Sequence, residues 1–181
     1  RRKRFRALLQ ESDGIPADDV IMSRDQAKVR GLTGTLVFPI GNLAPQGSVI
    51  KATAIDPSVV ATDGVYRQGG PARVFTSESA AAEALPAGVV RSGDVMVLCG
   101  VGPMGTGMEE TYQVTSALKA LPGGKSIALL TDARFSGVST GACIGHIGPE
   151  ALAGGPLGKV QDGDRIRIIV GRVRMGGSID L

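Results

Sequence analysis

A β-rich α/β domain, built as a barrel or curved sheet flanked by helices, is the fold this sequence predicts. Three observations point to it. Short runs of β-branched and aliphatic residues recur along the chain, each bounded by Gly, Pro, Asn or Asp, the residues that turn a backbone. Clear helical periodicity is confined to 109–121, where Val114, Ala117, Leu118 and Leu121 share one face. Aromatics supply 3% of the residues while 27 are Gly, which suits a core of small aliphatics threaded by tight turns.

The strand-like runs are 35–40, 48–53, 72–75, 95–99, 126–130 and 165–170. Ser23 and Gln26 have capping-box spacing for a brief helix that stops at Gly31. Ser77 is placed to cap a helix over 78–85, which Pro86 ends. A small echo links two turns: Arg91-Ser92-Gly93-Asp94 and Gln161-Asp162-Gly163-Asp164 each lead into a β-branched strand. With 181 residues, 43% of them hydrophobic, the chain can bury one sizeable core and is not disordered. No linker divides it, so 1–181 is expected to be one domain.

Five of the 20 Lys and Arg residues lie in the first six positions, leaving 15 against 17 Asp and Glu, so the net charge of +3 reflects that terminus. Without interleaved aromatics or a basic stripe elsewhere, the run reads as a solvated strand or helix end, and nucleic acid is not expected as a partner. No apolar run approaches transmembrane length and no signal-peptide pattern opens the chain. A membrane is therefore not expected as a partner either, and the expected compartment is the cytoplasm. The chain lacks an initiator Met and starts mid-pattern, as a piece of a longer protein would. Cys99 and Cys143 are far apart and belong to no Cys-x-x-Cys pair, which suggests buried free thiols.

Three motifs have chemical potential. Gly100-Val101-Gly102-Pro103-Met104-Gly105 is a literal G-x-G-x-x-G after a strand, the form of a dinucleotide-binding loop. Pro103 and Gly107 delay the helix, however, and no acidic residue about 20 positions on ends a second strand. Next, Thr106 and Glu109 have capping-box spacing, which places Glu110 in a first helical turn, either as a surface residue or as an oxygen ligand for Mg²⁺. The strongest local signal is Thr131-Asp132-Ala133-Arg134-Phe135-Ser136-Gly137, a strand end followed by a Gly-flanked serine at a sheet edge. A hydrolytic triad is not expected there: Arg134 stands two before Ser136, and His146 is the chain's one histidine, more simply read as structural.

Four blocks together resemble the dihydroxy-acid and sugar-acid dehydratase family: GNLAPQGSVIKAT (41–53), GVGPMGTGMEE (100–110), TDARFSGVSTGACIGHIGPEA (131–151) and GGPLGKVQDGDRIRI (154–168). The resemblance implies a C-terminal domain of the swivelling β/β/α type, a β-barrel-like sheet edged by helices. It also implies an N-terminal domain, absent from this chain, that holds an iron–sulfur cluster and most Mg²⁺ ligands. Ser136 matches the family's proton-abstracting serine and Glu110 its metal-binding glutamate. The loop here is one residue shorter than the common form, which leaves Glu109 as the alternative ligand. Arg134, Gly137, Ser139 and Asn42 are the implied substrate-binding residues. Neither cysteine matches the cluster motifs.

The stretches TAIDPS, GTGMEETYQVTSALK and ARFSGVSTGACIGH are most similar to the aldonate branch acting on D-xylonate. The implied reaction dehydrates a sugar acid to a 2-keto-3-deoxy acid, with Ser136 as general base and the cluster and Mg²⁺ as cofactors. The implied partners are the aldonate, the N-terminal domain and further copies of the enzyme. Dihydroxy-acid or phosphogluconate dehydration is the alternative within the family. A non-catalytic β-barrel binding module, or a nucleotide-binding domain using the 100–105 loop, is the alternative outside it.

Overall fold

The structure is a computed structural model that describes residues 2–29, 34–172 and 175–181. The chain divides into two compact units, Arg1–Thr33 and Gly34–Leu181.

The first unit contains helices α1 (Arg2–Asp13), α2 (Ala17–Val20) and α3 (Arg24–Val29). The capping box expected before α3 is formed: Ser23 N–H donates to Gln26 Oε1 at 2.9 Å, and Gln26 N–H to Ser23 Oγ at 3.3 Å. The expected stop at Gly31 lies outside the described residues. Lys3, Arg4 and Arg6 are exposed on α1, the solvated helix end that the basic run suggests.

The second unit runs β1 (Leu36–Val37), β2 (Val49–Lys51), β3 (Val65–Phe75), α4 (Glu78–Ala84), β4 (Val95–Leu98), α5 (Pro103–Thr106), α6 (Gln113–Ala120), β5 (Ala128–Thr131), β6 (Ala142–Gly145), β7 (Arg165–Gly171) and β8 (Gly176–Asp180). The strands form one sheet in the order β1-β2-β6-β5-β4-β3-β7-β8. The segment after β1 then reaches the opposite edge. Ile40 N–H donates to the Gly177 carbonyl at 3.1 Å and Leu43 N–H to that of Ile179 at 3.2 Å. The sheet is therefore a nearly closed barrel flanked by helices, as the sequence predicts.

Alternation along the central strands builds two cores. Val95 and Val97 of β4, Ala128 and Leu130 of β5, and Ala142 and Ile144 of β6 face the barrel interior with Ile50, Ile166 and Ile168. Met96, Leu98, Leu129 and Cys143 face the other way, against Ala81 of α4 and Val114 and Leu118 of α6. Because both faces are covered, β4, β5 and β6 are buried at every position. Ser77 caps α4 as expected, accepting from Ala80 N–H at 3.3 Å.

The paired Gly-Asp turns are alike in detail. Asp94 Oδ2 accepts from Arg91 N–H at 3.0 Å, and Asp164 Oδ2 from Gln161 N–H at 2.8 Å. Gly93 and Gly163 take φ of +93° and +90°, the left-handed region that such turns require.

Two expectations need correction. The helix placed at 109–121 begins only at Gln113, so Thr106 is not its N-cap: Thr106 ends α5, and Gly107 stops that turn in the left-handed region. Strand β3 starts seven residues before the expected 72–75, pairing antiparallel with β7 from Val65↔Gly171 to Pro71↔Arg165. Its Gly69-Gly70-Pro71 segment has turn composition but sits in the sheet. At Gly70 the Gly93 carbonyl passes so close that a Cβ would collide with it. β6 and β8 also form strands, although four residues and a Gly-Gly start announce neither in sequence.

Candidate functional site

Ser136 stands in the loop joining β5 to β6, and that loop is fixed along its length. The Ala133 N–H donates to Thr131 Oγ1 at 3.1 Å, and the Arg134 carbonyl accepts from both Thr111 N–H and Thr111 Oγ1 at 3.0 Å. The Phe135 ring lies against Gly145 on β6, where a side chain would meet the ring at 2.9 Å. Lys51 Nζ donates to the Gly137 carbonyl at 2.9 Å. Ser139 N–H donates to the Ser136 carbonyl at 3.0 Å, and Gly141 N–H to that of Ala54 at 2.9 Å. Ser136 is half-buried, and its Oγ accepts from Val138 N–H at 3.4 Å. A serine held this way loses little entropy when it meets a substrate.

Glu110 belongs to the same assembly. It forms a parallel β-bridge with Arg134, and the Arg134 Nε donates to the Met108 carbonyl at 3.0 Å. The two motif loops, far apart in sequence, are thus stitched together. The Glu110 carboxylate is exposed and accepts no hydrogen bond among the described residues; the same holds for Glu109, whose N–H reaches Thr106 Oγ1 at 3.5 Å. Arg134 uses one of its five donors on Met108, and its others are free among the described residues to meet a carboxylate.

A cavity of about 240 Å³ opens beside the serine, lined among others by Lys51, Phe135, Ser136, Gly137, Ser139 and His146. Ser139 is buried, its hydroxyl 3.2 Å from that of Thr115, so its polar group is engaged in the protein interior. Asn42 does not line this cavity. It sits at the barrel seam, donating through Nδ2 to the Leu181 carbonyl at 3.3 Å and accepting from Leu181 N–H at 2.8 Å.

The glycine loop satisfies itself with carboxylates of this chain. Asp132, 1% exposed, accepts from Gly100 N–H at 3.0 Å, Val101 N–H at 3.2 Å and Ala151 N–H at 2.9 Å. Glu150 accepts from Met104 N–H at 2.9 Å at the start of α5. The amides that would cradle a pyrophosphate in a dinucleotide fold are already paired, which argues against that reading. Asp132 therefore fastens the end of β5 to the 100–105 loop and to the 150s turn.

The metal-binding capacity of these residues is limited. No group of three or more His, Cys, Asp and Glu able to hold an ion exists among the described residues. Cys99 and Cys143 are buried free thiols. Burial pushes the Cys143 thiol up to about 12, and burial followed by the Asp132 charge raises that of Cys99. Glu110 suits a single oxygen ligand to Mg²⁺, an ion that takes one or two carboxylates and fills its shell with water or substrate.

Residues 19–180 match the family model described as dihydroxy-acid/6-phosphogluconate dehydratase, C-terminal. The chain belongs to this dehydratase family. It is 60% identical over 180 residues to D-xylonate dehydratase YagF and 58% identical to D-xylonate dehydratase YjhG, both from Escherichia coli K12. In each case the match covers 99% of this chain and 28% of the relative. A dihydroxy-acid dehydratase from Leifsonia xyli is 46% identical over 84% of this chain and 26% of its own length. The chain thus spans about a quarter of the length of the curated relatives it matches.

Within the dehydratase family domain, sequence reasoning singled out Ser136, Glu110 and Arg134, and the structure brings their two loops together. It missed Lys51, Thr111, Asp132 and Glu150 as residues that hold the site. Each lies in or beside a quoted motif, but their partners are 19 to 86 positions away, and no local pattern marks such pairings.

Proposed function

We propose that this chain is the C-terminal catalytic domain of a hydro-lyase that dehydrates an aldonate of the D-xylonate type to a 2-keto-3-deoxy acid. The observation that carries the proposal is the hydrogen-bonded Ser136 loop, joined through Arg134 to the loop of Glu110. The substrate class rests on 60% identity to a D-xylonate dehydratase, against 46% to a dihydroxy-acid dehydratase. The remaining length of such relatives leaves room for an N-terminal domain that completes the site. The exposed Val138 and Tyr112, 70% and 53% accessible beside the two loops, suit burial against it. Among the described residues no helix is long and apolar enough to cross a membrane. Two buried free thiols agree with a reducing cytoplasm.

In this reading Ser136 Oγ takes the proton from C2 as hydroxide departs from C3. The enol left behind then tautomerises to the ketone. The Val138 N–H, already directed at Oγ, favours its anionic form. Arg134 has donors free to orient the substrate carboxylate. Glu110 would hold Mg²⁺, with Glu109 the neighbouring alternative, and the iron–sulfur cluster would be held outside this chain. When bound, these metals supply Lewis acidity for the leaving hydroxide and for charge at the carboxylate.

The test is Ser136→Ala in the full-length enzyme. Turnover of D-xylonate should fall by about two to four orders of magnitude, with folding and metal content unchanged. Exchange of the C2 hydrogen with deuterated solvent should fall with it. Near-normal turnover, or lost turnover with retained exchange, would remove Ser136 from the role of base.

A further inference from the structure

A serine hydroxyl is a weak base unless positive charge stabilises its alkoxide, and a lysine lines the same cavity as this serine. Val49 and Lys51 of β2 line the cavity beside Ser136, while Ile50 between them is buried in the barrel core, as strand alternation requires. Lys51 donates to the carbonyl of Gly137, the residue next to Ser136. That bond uses one of the three ammonium protons, and the other two have no partner among the described residues. His146 and Cys143 are the other titratable side chains lining the cavity, and among the described residues no carboxylate lines it. No described residue of the cavity wall therefore neutralises the ammonium.

We infer that Lys51 is a positioning residue for Ser136: it fixes the serine loop through Gly137 and supplies the positive charge that makes the hydroxyl a competent base. This inference rests on the proposed role of Ser136 and extends it to a residue on a different strand. Lys51 is exposed at the strand end, so its replacement leaves the barrel core intact.

The experiment compares Lys51→Gln and Lys51→Arg in the full-length enzyme, each alone and in the Ser136→Ala background. Gln keeps an N–H donor without charge, and Arg keeps both. Lys51→Gln should lower kcat on the order of 10²-fold with KM within about twofold. The acid limb of the kcat profile should move to higher pH by about one unit, because the alkoxide loses a nearby cation. Lys51→Arg should recover most of the loss. In the Ser136→Ala background, Lys51→Gln should add little, since the group it acts through is gone.

Unchanged kcat and pH profile in Lys51→Gln would overturn the inference. So would equal losses in the Gln and Arg variants with an unmoved profile, which would make Lys51 a mechanical tether only. A full additional loss in the Ser136→Ala background would show that Lys51 acts on something other than the serine. Ser136→Ala alone separates the two claims: if it retains turnover, the base itself is misassigned, whatever Lys51 does.

Discussion

Glu110 and Arg134 face each other across a parallel β-bridge, 24 residues apart in sequence, and Thr111 closes it by donating twice to the Arg134 carbonyl. The bridge makes one rigid platform out of the loop that follows α5 and the loop that follows β5. A metal-binding carboxylate on one and a proton-abstracting hydroxyl on the other would then keep a constant spacing, which a two-point reaction on one substrate needs.

Glu110→Gln in the full-length enzyme should raise the Mg²⁺ concentration needed for half-maximal activity. Glu109→Gln should leave it unchanged. The Glu109 carboxylate caps nothing among the described residues, so its substitution should also leave the melting temperature unchanged. Titrations of activity against Mg²⁺ check both, and swapped phenotypes would move the ligand to Glu109.

Asp132→Asn should destabilise this chain by about 3 kcal/mol, because the amide offers donors where three backbone N–H groups need acceptors in a buried site. Urea unfolding measures the loss. A change under about 1 kcal/mol would mean that the 100–105 loop and the 150s turn are held by other contacts.

The Cys143 thiol carries a sign for the pH dependence of stability. Its folded value is raised to about 12, so the neutral thiol favours the fold. That contribution is complete below the unfolded value of about 8.5 and is lost as pH rises from there toward the folded one. Unfolding midpoints should therefore fall between about pH 8.5 and 9.5, and less steeply in Cys143→Ala. Equal slopes in the two proteins would remove Cys143 as the cause.

This 181-residue chain should melt cooperatively on its own, with the barrel as its core, and should not turn over D-xylonate, since its described residues offer no ligand set for a cluster. Calorimetry and an assay for the keto product check the two halves. Turnover by the chain alone would overturn the division of labour between domains.

Much of this protein is local and was open to reading along the chain. The Ser23–Gln26 box, the Ser77 cap and the twin Gly-Asp turns each depend on residues within three positions, and all formed as expected. Strands β4, β5 and β7 were evident for the same reason, since β-branched and aliphatic runs bounded by turns suit few other structures. What the sequence determined by itself was therefore the fold class, these locally encoded elements and the family, together with the motifs that hold Ser136 and Glu110. Tertiary structure alone decided which of these meet. Barrel closure between 40–43 and β8, the pairing of Gly69-Gly70-Pro71 with β7, and the Lys51 bond to Gly137 all join residues remote in sequence. No period or local propensity encodes such pairings, because they arise from which sheet edges come together when two cores are buried at once.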